Sequence, residues 1–462
     1  MHLSWIKSLL IAIFLGCFVN CEKNKGKSAT HGELTEIVGG QFFVAPDGND
    51  NGPGTIENPW RTWTKAFTQA HAGDTVYFRG GVYYSTSDNG GERGFNSGSP
   101  ERPICFFNYP GETPVLDCQN RDITSLGYNR GITLWHVENI HLKGLQVRNV
   151  YQRMNSNVVG VDAWNVGNIT FENMLVHHVA GEAYVVADFH STIQYINCDA
   201  HNMNDSLRTA VYPTPGSPGQ NGAGFHFRNY RETPGAEASK LYYTGCRAWE
   251  FSDNGFAGTS VGYVEWDTCW AFDGGAMSGE GCGFKYASIY RDNNTLALAR
   301  LMKNCIGALN GAYGFSPNNS GDTPLVGKYF NNSAYYNGYK ENIGHGLGYG
   351  WIIMRTNASE APSGELYANN LAYKNEKGDA HSVRSQAFNQ KNNSWNLSLS
   401  ITDNDFKSLD WTELKKPRKA DGSLPDIDFL KPVKGSPLLN AGIDVGLPFS
   451  GVAPDLGAFQ RD

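Results

Sequence analysis

One short motif returns down the length of this chain and limits what it can fold into. Alternating apolar residues lead to a small or polar turn residue, then to a second short strand, then to Asn, Gly or Asp. The motif reads NIHLKGLQVRN at 139–149, NITFENMLVHHV at 168–179, TIQYINCDAHN at 192–202, KLYYTGCRAWEFSDNGF at 240–256 and YVEWDTCWAFDGG at 263–275. RLMKNCIGALNGAYGF at 300–315 and the stretches 327–339 and 364–377 continue it. Taking the residue before each mid-segment turn, the anchors are Gly144, Asn173, Asn197, Gly245, Thr268, Asn304, Asn332 and Asn369, with gaps of 29, 24, 48, 23, 36, 28 and 37. A unit of about 23–24 residues fits these gaps, the 48 counting as two coils and the larger values as insertions. Such a period, with two or three short strands per unit, predicts an all-β solenoid of the parallel β-helix kind. No coil can bury its own apolar face, so neighbours stack about 4.8 Å apart and share a core. The recurring LxxLxL of a leucine-rich repeat is absent, and propeller blades would be longer.

On that reading the insertions acquire meaning. The longest, Asp205–Ser239, carries Pro213, Pro215 and Pro218, and a long loop on a rigid solenoid builds a wall of a binding groove. The turn-rich tail Ser436–Phe459 is expected to wrap the last coils as a cap, and Asp410–Lys416 to add a short helix. Fifty-four glycines, 13 % aromatic and only 18 % charged residues suit a turn-rich β protein. The formal net charge of −7 gives no electrostatic case for nucleic acid. An acidic ligand would have to be drawn by a local basic cleft.

Lys7 precedes an apolar stretch, Leu9 to Val19, too short to span a membrane as a helix. It ends at Cys17 and Cys21. A cysteine directly after such a stretch resembles a bacterial lipoprotein signal, so residues 1–20 are expected to be a leader and Cys21 the lipidated residue. Cys17 is the alternative, and ordinary secretion the plainer one. Residues 21–40 then read as a tether and 41–462 as the solenoid domain. Membrane contact would come only through the lipid, and a monomer is expected. Of the seven remaining cysteines, Cys198, Cys246, Cys269 and Cys305 each end a similar segment. Export permits disulfides, but this placement suggests small core residues stacked in register. No CxxC or His/Cys spacing argues for zinc.

Lys285, in GCGFKYA (281–287), is the sharpest chemical signal: a lysine presented by a regular β-scaffold is a candidate Brønsted base for an acidic C–H proton. VAPDGNDNGPGTIENPWRTWTKAF and AGDTVYFRGGVY, within 43–83, NGAGFHFRNY (221–230), GCRAWEFSDNGF (245–256), GCGFKYA and NCIGALNGAYGFSPNN (304–319) occur in that order. Together, over roughly 42–460, they resemble polysaccharide lyase family 9. The resemblance implies a right-handed parallel β-helix that cleaves pectic chains by β-elimination, with a lysine base and calcium in the cleft. It places Lys285 as that lysine and an acidic pectic polysaccharide as the partner.

The calcium motif departs from the family. Asn221-Gly222-Ala223-Gly224-Phe225 stands where the family has Asn-Ala-Asp-Gly-Phe. Ser252-Asp253-Asn254-Gly255-Phe256-Ala257 stands for Ser-Asp-Asp-Gly-x-Asp. Asp253, with Asn254 beside it, keeps the only acid, whereas calcium wants six to eight oxygens. If calcium is lost, an arginine fork matches a uronate carboxylate. Arg228 is the first candidate, with Arg208 and Arg231 in the same insertion and His226 and Tyr286 as further substrate contacts. Lysine titrates near about 10.4 when free, so a nearby arginine or calcium and partial burial are expected around Lys285. The thinned acidic cluster favours rhamnogalacturonan I over homogalacturonan. A hydrolase would need paired carboxylates; there is no Asp-Asp dipeptide, and Gly344–Gly346 reads as a turn. A silent surface glycan binder is the rival from another class.

Overall fold

The computed structural model describes residues 39–121, 128–153, 156–207, 217–230, 233–275, 277, 279–288, 298–317, 326–339, 348–353, 366–382 and 389–461. The leader, nearly all of the tether, Arg208, Arg231 and the Gly344–Gly346 turn lie outside them.

Among the described residues the chain winds into three parallel sheets. Sheet 1 has twelve strands, from Gln41–Val44 to Gln390–Lys391. Sheet 2 has ten, from Gly81–Tyr84 to Leu371–Tyr373, and sheet 3 nine, from Asn129–Trp135 to Gly378–Ser382. From the strand Ile104–Asn108 to the strand Gly378–Ser382 each coil donates one strand to each sheet in turn, the expected right-handed parallel β-helix. The turn between sheets 1 and 2 forces a left-handed backbone, with φ of 68° at Gly144, 52° at Asn173, 53° at Asn197, 62° at Gly245 and 57° at Asn304. That explains the Asn and Gly that recur there, the residues best able to adopt it.

Two details of the repeat are corrected. The 48-residue gap is one coil, because Thr192–Ile196 pairs directly with Lys240–Thr244; its extra length is insertion on either side of the strand Phe225–Asn229. The left-handed residue of the later coil is Asn331 (φ 52°), not Asn332. Asn332 instead continues the interior column of Cys198, Cys246, Cys269 and Cys305, which are all free and buried. Each of the first three thiols reaches a carbonyl of the preceding coil at 3.4 Å: Cys198 to Phe171, Cys246 to Tyr195 and Cys269 to Tyr243. From Asn332 the column becomes an amide ladder, Asn332 Nδ2 donating to Asn370 Oδ1 (2.9 Å) and Asn370 Nδ2 to Asn393 Oδ1 (2.8 Å).

A helix unannounced by the repeat, Trp63–Gln69, is capped by Thr62, whose hydroxyl accepts from Lys65 N. It closes the first coils, Phe67 stacking on Phe95 at 3.9 Å and meeting Phe106 at 5.1 Å. The tail does more than cap. Residues 436–459 do wrap the last coils, with Asn369 Nδ2 donating to Ile443 O (2.8 Å) and Asn331 Nδ2 to Asp455 O (3.1 Å). The chain before them runs along sheet 2 and buries Phe406, Leu414 and Phe429 against Trp270, Phe272 and Tyr335. The short helix expected at Asp410–Lys416 is present as a 3-10 helix, Trp411–Lys415, capped by Asp410. No helix of the described residues is long and apolar enough to cross a membrane.

Candidate active site on the open sheet

Sheet 3 keeps one face free of the tail, and strict alternation decides what stands on it. Inward lies a stack of rings, Tyr184, Phe225, Phe256, Phe284, Phe315 and Trp351, each between 4.1 and 5.0 Å from the next. Before these rings come glycines. A Cβ at Gly224 or Gly255 would lie 2.7 Å from the methyl carbon of Ala248 or Ala271, so glycine lets sheets 2 and 3 close together beneath the site. One residue after the rings, the chain points out. Paired registers set Thr133, Asp162, Val185, His226, Ala257, Lys285 and Ser316 in one outward column. Trp135, Trp164, Ala187, Arg228 and Thr259 form the next.

Lys285 therefore stands on the open face, with a side chain only 17 % exposed. Its Nζ is ion-paired with Glu280, not with an arginine or a calcium ligand. Glu280 N in turn donates to Asp253 Oδ1 at 2.9 Å. Burial pushes Asp253 up to about 7, although the Glu280 N–H and the charge of Lys285 pull the other way. Two strands toward the N-terminus His226 Nδ1 pairs with Glu182, and further along the sheet Arg130 Nε pairs with Asp162. Burial also raises Asp162 above the ordinary carboxylate range despite Arg130 and Arg228.

Arg228, Arg130, Asp162, Trp164, Glu182 and His226 line a cavity of about 140 Å³. Arg228 Nε is itself buried, without a hydrogen-bond partner, while the residue lines the cavity. Tyr286 is the clear correction: it is fully buried, 5.0 Å from the Tyr329 ring. Alternation that sends Lys285 outward turns its neighbour into the core, so Tyr286 is no substrate contact. Sequence reasoning missed Glu280, Glu182, Asp162, Arg130 and the two tryptophans.

The resemblance implies calcium, and the donor set does not fit it. Asn254 is 2 % exposed and its Oδ1 has no hydrogen-bond partner; with Asp253 it supplies at most three side-chain oxygens, against the six to eight calcium takes. The neighbouring acids are engaged by Lys285, His226 and Arg130. Among the described residues, the group whose ligand atoms lie within 4.8 Å of one another is His177, His178 and His201. These stand on sheet 2 and offer nitrogen, a donor unsuited to calcium.

Comparison with known proteins agrees with this architecture. The profile described as Pel9A-like, right handed beta helix region, matches residues 42–393. Pectate lyase L of Dickeya dadantii (strain 3937) is 27 % identical over 437 residues, covering 91 % of this chain and 90 % of that protein. Pectate lyase PEL9 of Emericella nidulans is 23 % identical over 425 residues, covering 86 % and 94 %. The crystal structure of pectate lyase Pel9A superposes with a TM-score of 0.67 at 24 % identity, over 92 % of this chain and 96 % of the other. A structure titled rhamnogalacturonan lyase gives 0.64 at 23 %, over 86 % and 97 %. With three-quarters of its length matched in one piece, the chain belongs to the Pel9A-like right-handed β-helix family.

Proposed function

We propose that this polysaccharide lyase cleaves a galacturonate-containing pectic backbone by β-elimination with Lys285 as base, rhamnogalacturonan I being preferred over homogalacturonan. One observation carries the reading. Lys285 and Arg228 stand on either side of the strand Asn254–Ser260, whose outward residues are the short Ala257 and Thr259. Two strand spacings, about 10 Å, separate the two long cationic side chains, room for one sugar ring between them. The ring's C6 carboxylate then meets the Arg228 fork while its C5–H faces Nζ.

Neutral Lys285 Nζ takes the C5 proton. The electron pair left behind forms the C4–C5 double bond as the C4–O bond breaks, and the departing oxygen is protonated from water. Charge that gathers on the C6 carboxylate as C5–H breaks is held by the guanidinium, the same logic as an oxyanion hole. Glu280, with a side chain 39 % exposed, must release Nζ for this to happen. No step is routed through calcium, and chelation is expected to leave the rate unchanged. The leader supports export with Cys21 as the lipidated residue, to be checked by the loss of lipid labelling in Cys21→Ala.

Purified protein incubated with pectic polymers is expected to release products absorbing in the ultraviolet, the mark of a 4,5-unsaturated uronide. Reducing ends without that absorbance would mean hydrolysis, and binding without either would mean a silent glycan binder. Faster release from polygalacturonate than from rhamnogalacturonan I would reverse the polymer preference.

A further inference from the structure

We propose that Trp135 and Trp164 form a sugar-stacking subsite at the N-terminal end of the groove, one that takes a neutral sugar residue of an alternating backbone; this rests on the lyase reading above. The two residues pair in register on adjacent coils, and they are 63 % and 44 % exposed. On sheet 2 the outward rings Phe272 and Tyr335 are buried under the tail. Among the described residues the outward Trp135 and Trp164 of sheet 3 have no such cover, so apolar surface is left to water, a mark of a binding surface.

They are also held in place. Trp164 Nε1 donates to Asp188, and Trp135 stacks on His136 with ring centroids 5.4 Å apart. Tyr128, 50 % exposed, lies over the Arg130 guanidinium at 4.3 Å and adds a second wall. Trp164 lines the same cavity as Arg228 and shares its outward column. Only Ala187, 4 % exposed, stands between them. Four strand spacings separate Trp164 from Lys285, about 19 Å, so a sugar on the indoles belongs to the same bound chain as the one being cleaved, several residues away.

The polarity of this end chooses the sugar. Asp188 touches Trp164, Asp162 and Glu182 face the same cavity, and Arg130 already spends its charge on Asp162. A uronate carboxylate here would meet acids. A neutral ring with an apolar face loses nothing and gains the stacking. An alternating backbone can place such a ring on the indoles; polygalacturonate, with a carboxylate on every residue, cannot.

The test uses the Lys285→Ala protein, which leaves its ligand intact, titrated calorimetrically with rhamnogalacturonan I oligosaccharides and with oligogalacturonates of equal length. Adding Trp164→Ala or Trp135→Ala is expected to weaken rhamnogalacturonan binding about tenfold and to leave oligogalacturonate binding where it was. In the otherwise native protein the same substitutions are expected to raise KM on long polymer and spare kcat on fragments too short to reach the indoles from Lys285. Both rings are exposed, so an unchanged melting temperature will verify the fold. Unchanged affinity for both ligands overturns the subsite, and an equal loss for both overturns its choice of a neutral sugar. If Lys285→Ala cleaves as fast as wild type, Lys285 as base falls instead, while the KM comparison of the tryptophan variants with the native protein still reads the platform.

Discussion

Asp199 and Asp253 are both taken out of water by coils of one solenoid, and their surroundings push them in opposite directions. Asp199 faces outward on sheet 2, under the tail. Burial alone would raise its pKa, but Arg247 (Nε to Oδ1 2.9 Å, Nη2 to Oδ2 2.7 Å) and Arg418 (Nη2 to Oδ1 2.6 Å, Nε to Oδ2 3.0 Å) hold it below the ordinary carboxylate value. Arg247 Nη1 also donates to the carbonyls of Leu414 and Lys416, so one carboxylate ties the tail to the barrel. Asp253 faces the groove, has no guanidinium, and is pushed up to about 7. Where a face has finished its contacts, the acid is fully paired. On the open face Asp253 meets only the Glu280 N–H and the charge of Lys285, which do not offset its burial. The two acids differ in the cations that each face sets beside them.

The strongest way to break that division is at Lys285. Lys285→Ala is expected to lower turnover by about 10²–10⁴-fold or more, the range for loss of a general base, with the circular dichroism spectrum and melting temperature unchanged. A near-native rate would remove Lys285 from the chemistry. Asp199→Ala should do the reverse. It strands two buried guanidinium groups and is expected to cost roughly 3–5 kcal/mol of stability, read by denaturant unfolding, while the molecules still folded keep their specific activity. Loss of activity without loss of stability would mean that the tail shapes the groove. Arg228→Lys comes next. A point charge replaces the planar fork, so kcat/KM on polymer is expected to fall about tenfold, with stability unmoved, and Arg228→Ala to fall further. Equal rates for all three proteins would relieve Arg228 of the carboxylate.

How far the sequence disclosed this division depends on how local each signal was. The coil repeat was legible because left-handed turns accept few residues, and Lys285 because alternation puts it out between inward Phe284 and Tyr286. The same alternation rules out Tyr286 and was available from the start. Trp135 and Trp164 were also readable: they lie 29 residues apart, the spacing of Gly144 and Asn173. The pairs Lys285–Glu280, His226–Glu182 and Arg130–Asp162 were not. Glu280 lies just before the strand that carries Lys285, and the other two pairs join residues of neighbouring strands that are three positions out of register, an offset that the coil period does not give. The 48-residue coil misled because a long insertion imitates two periods.

The smallest effect, and the one that isolates the groove acid, is a pH dependence. In the unfolded chain Asp253 titrates near about 4; in the native protein it titrates near 7. Between those values the native state holds a proton that the unfolded chain has released, so this group makes stability fall as pH rises from about 4 to about 7, with no further change above. Asp253→Asn cannot ionise and removes that slope. Melting temperatures of the variant and the wild type should differ little near pH 4 and diverge in the variant's favour up to about pH 7. Asp199, with its pKa depressed, acts with the opposite sign: its contribution is complete above the ordinary carboxylate range and is lost as pH falls through its native value. Parallel curves for Asp253→Asn and wild type would mean that the groove acid finds a cation in solution, and the contrast between the two acids would then fail.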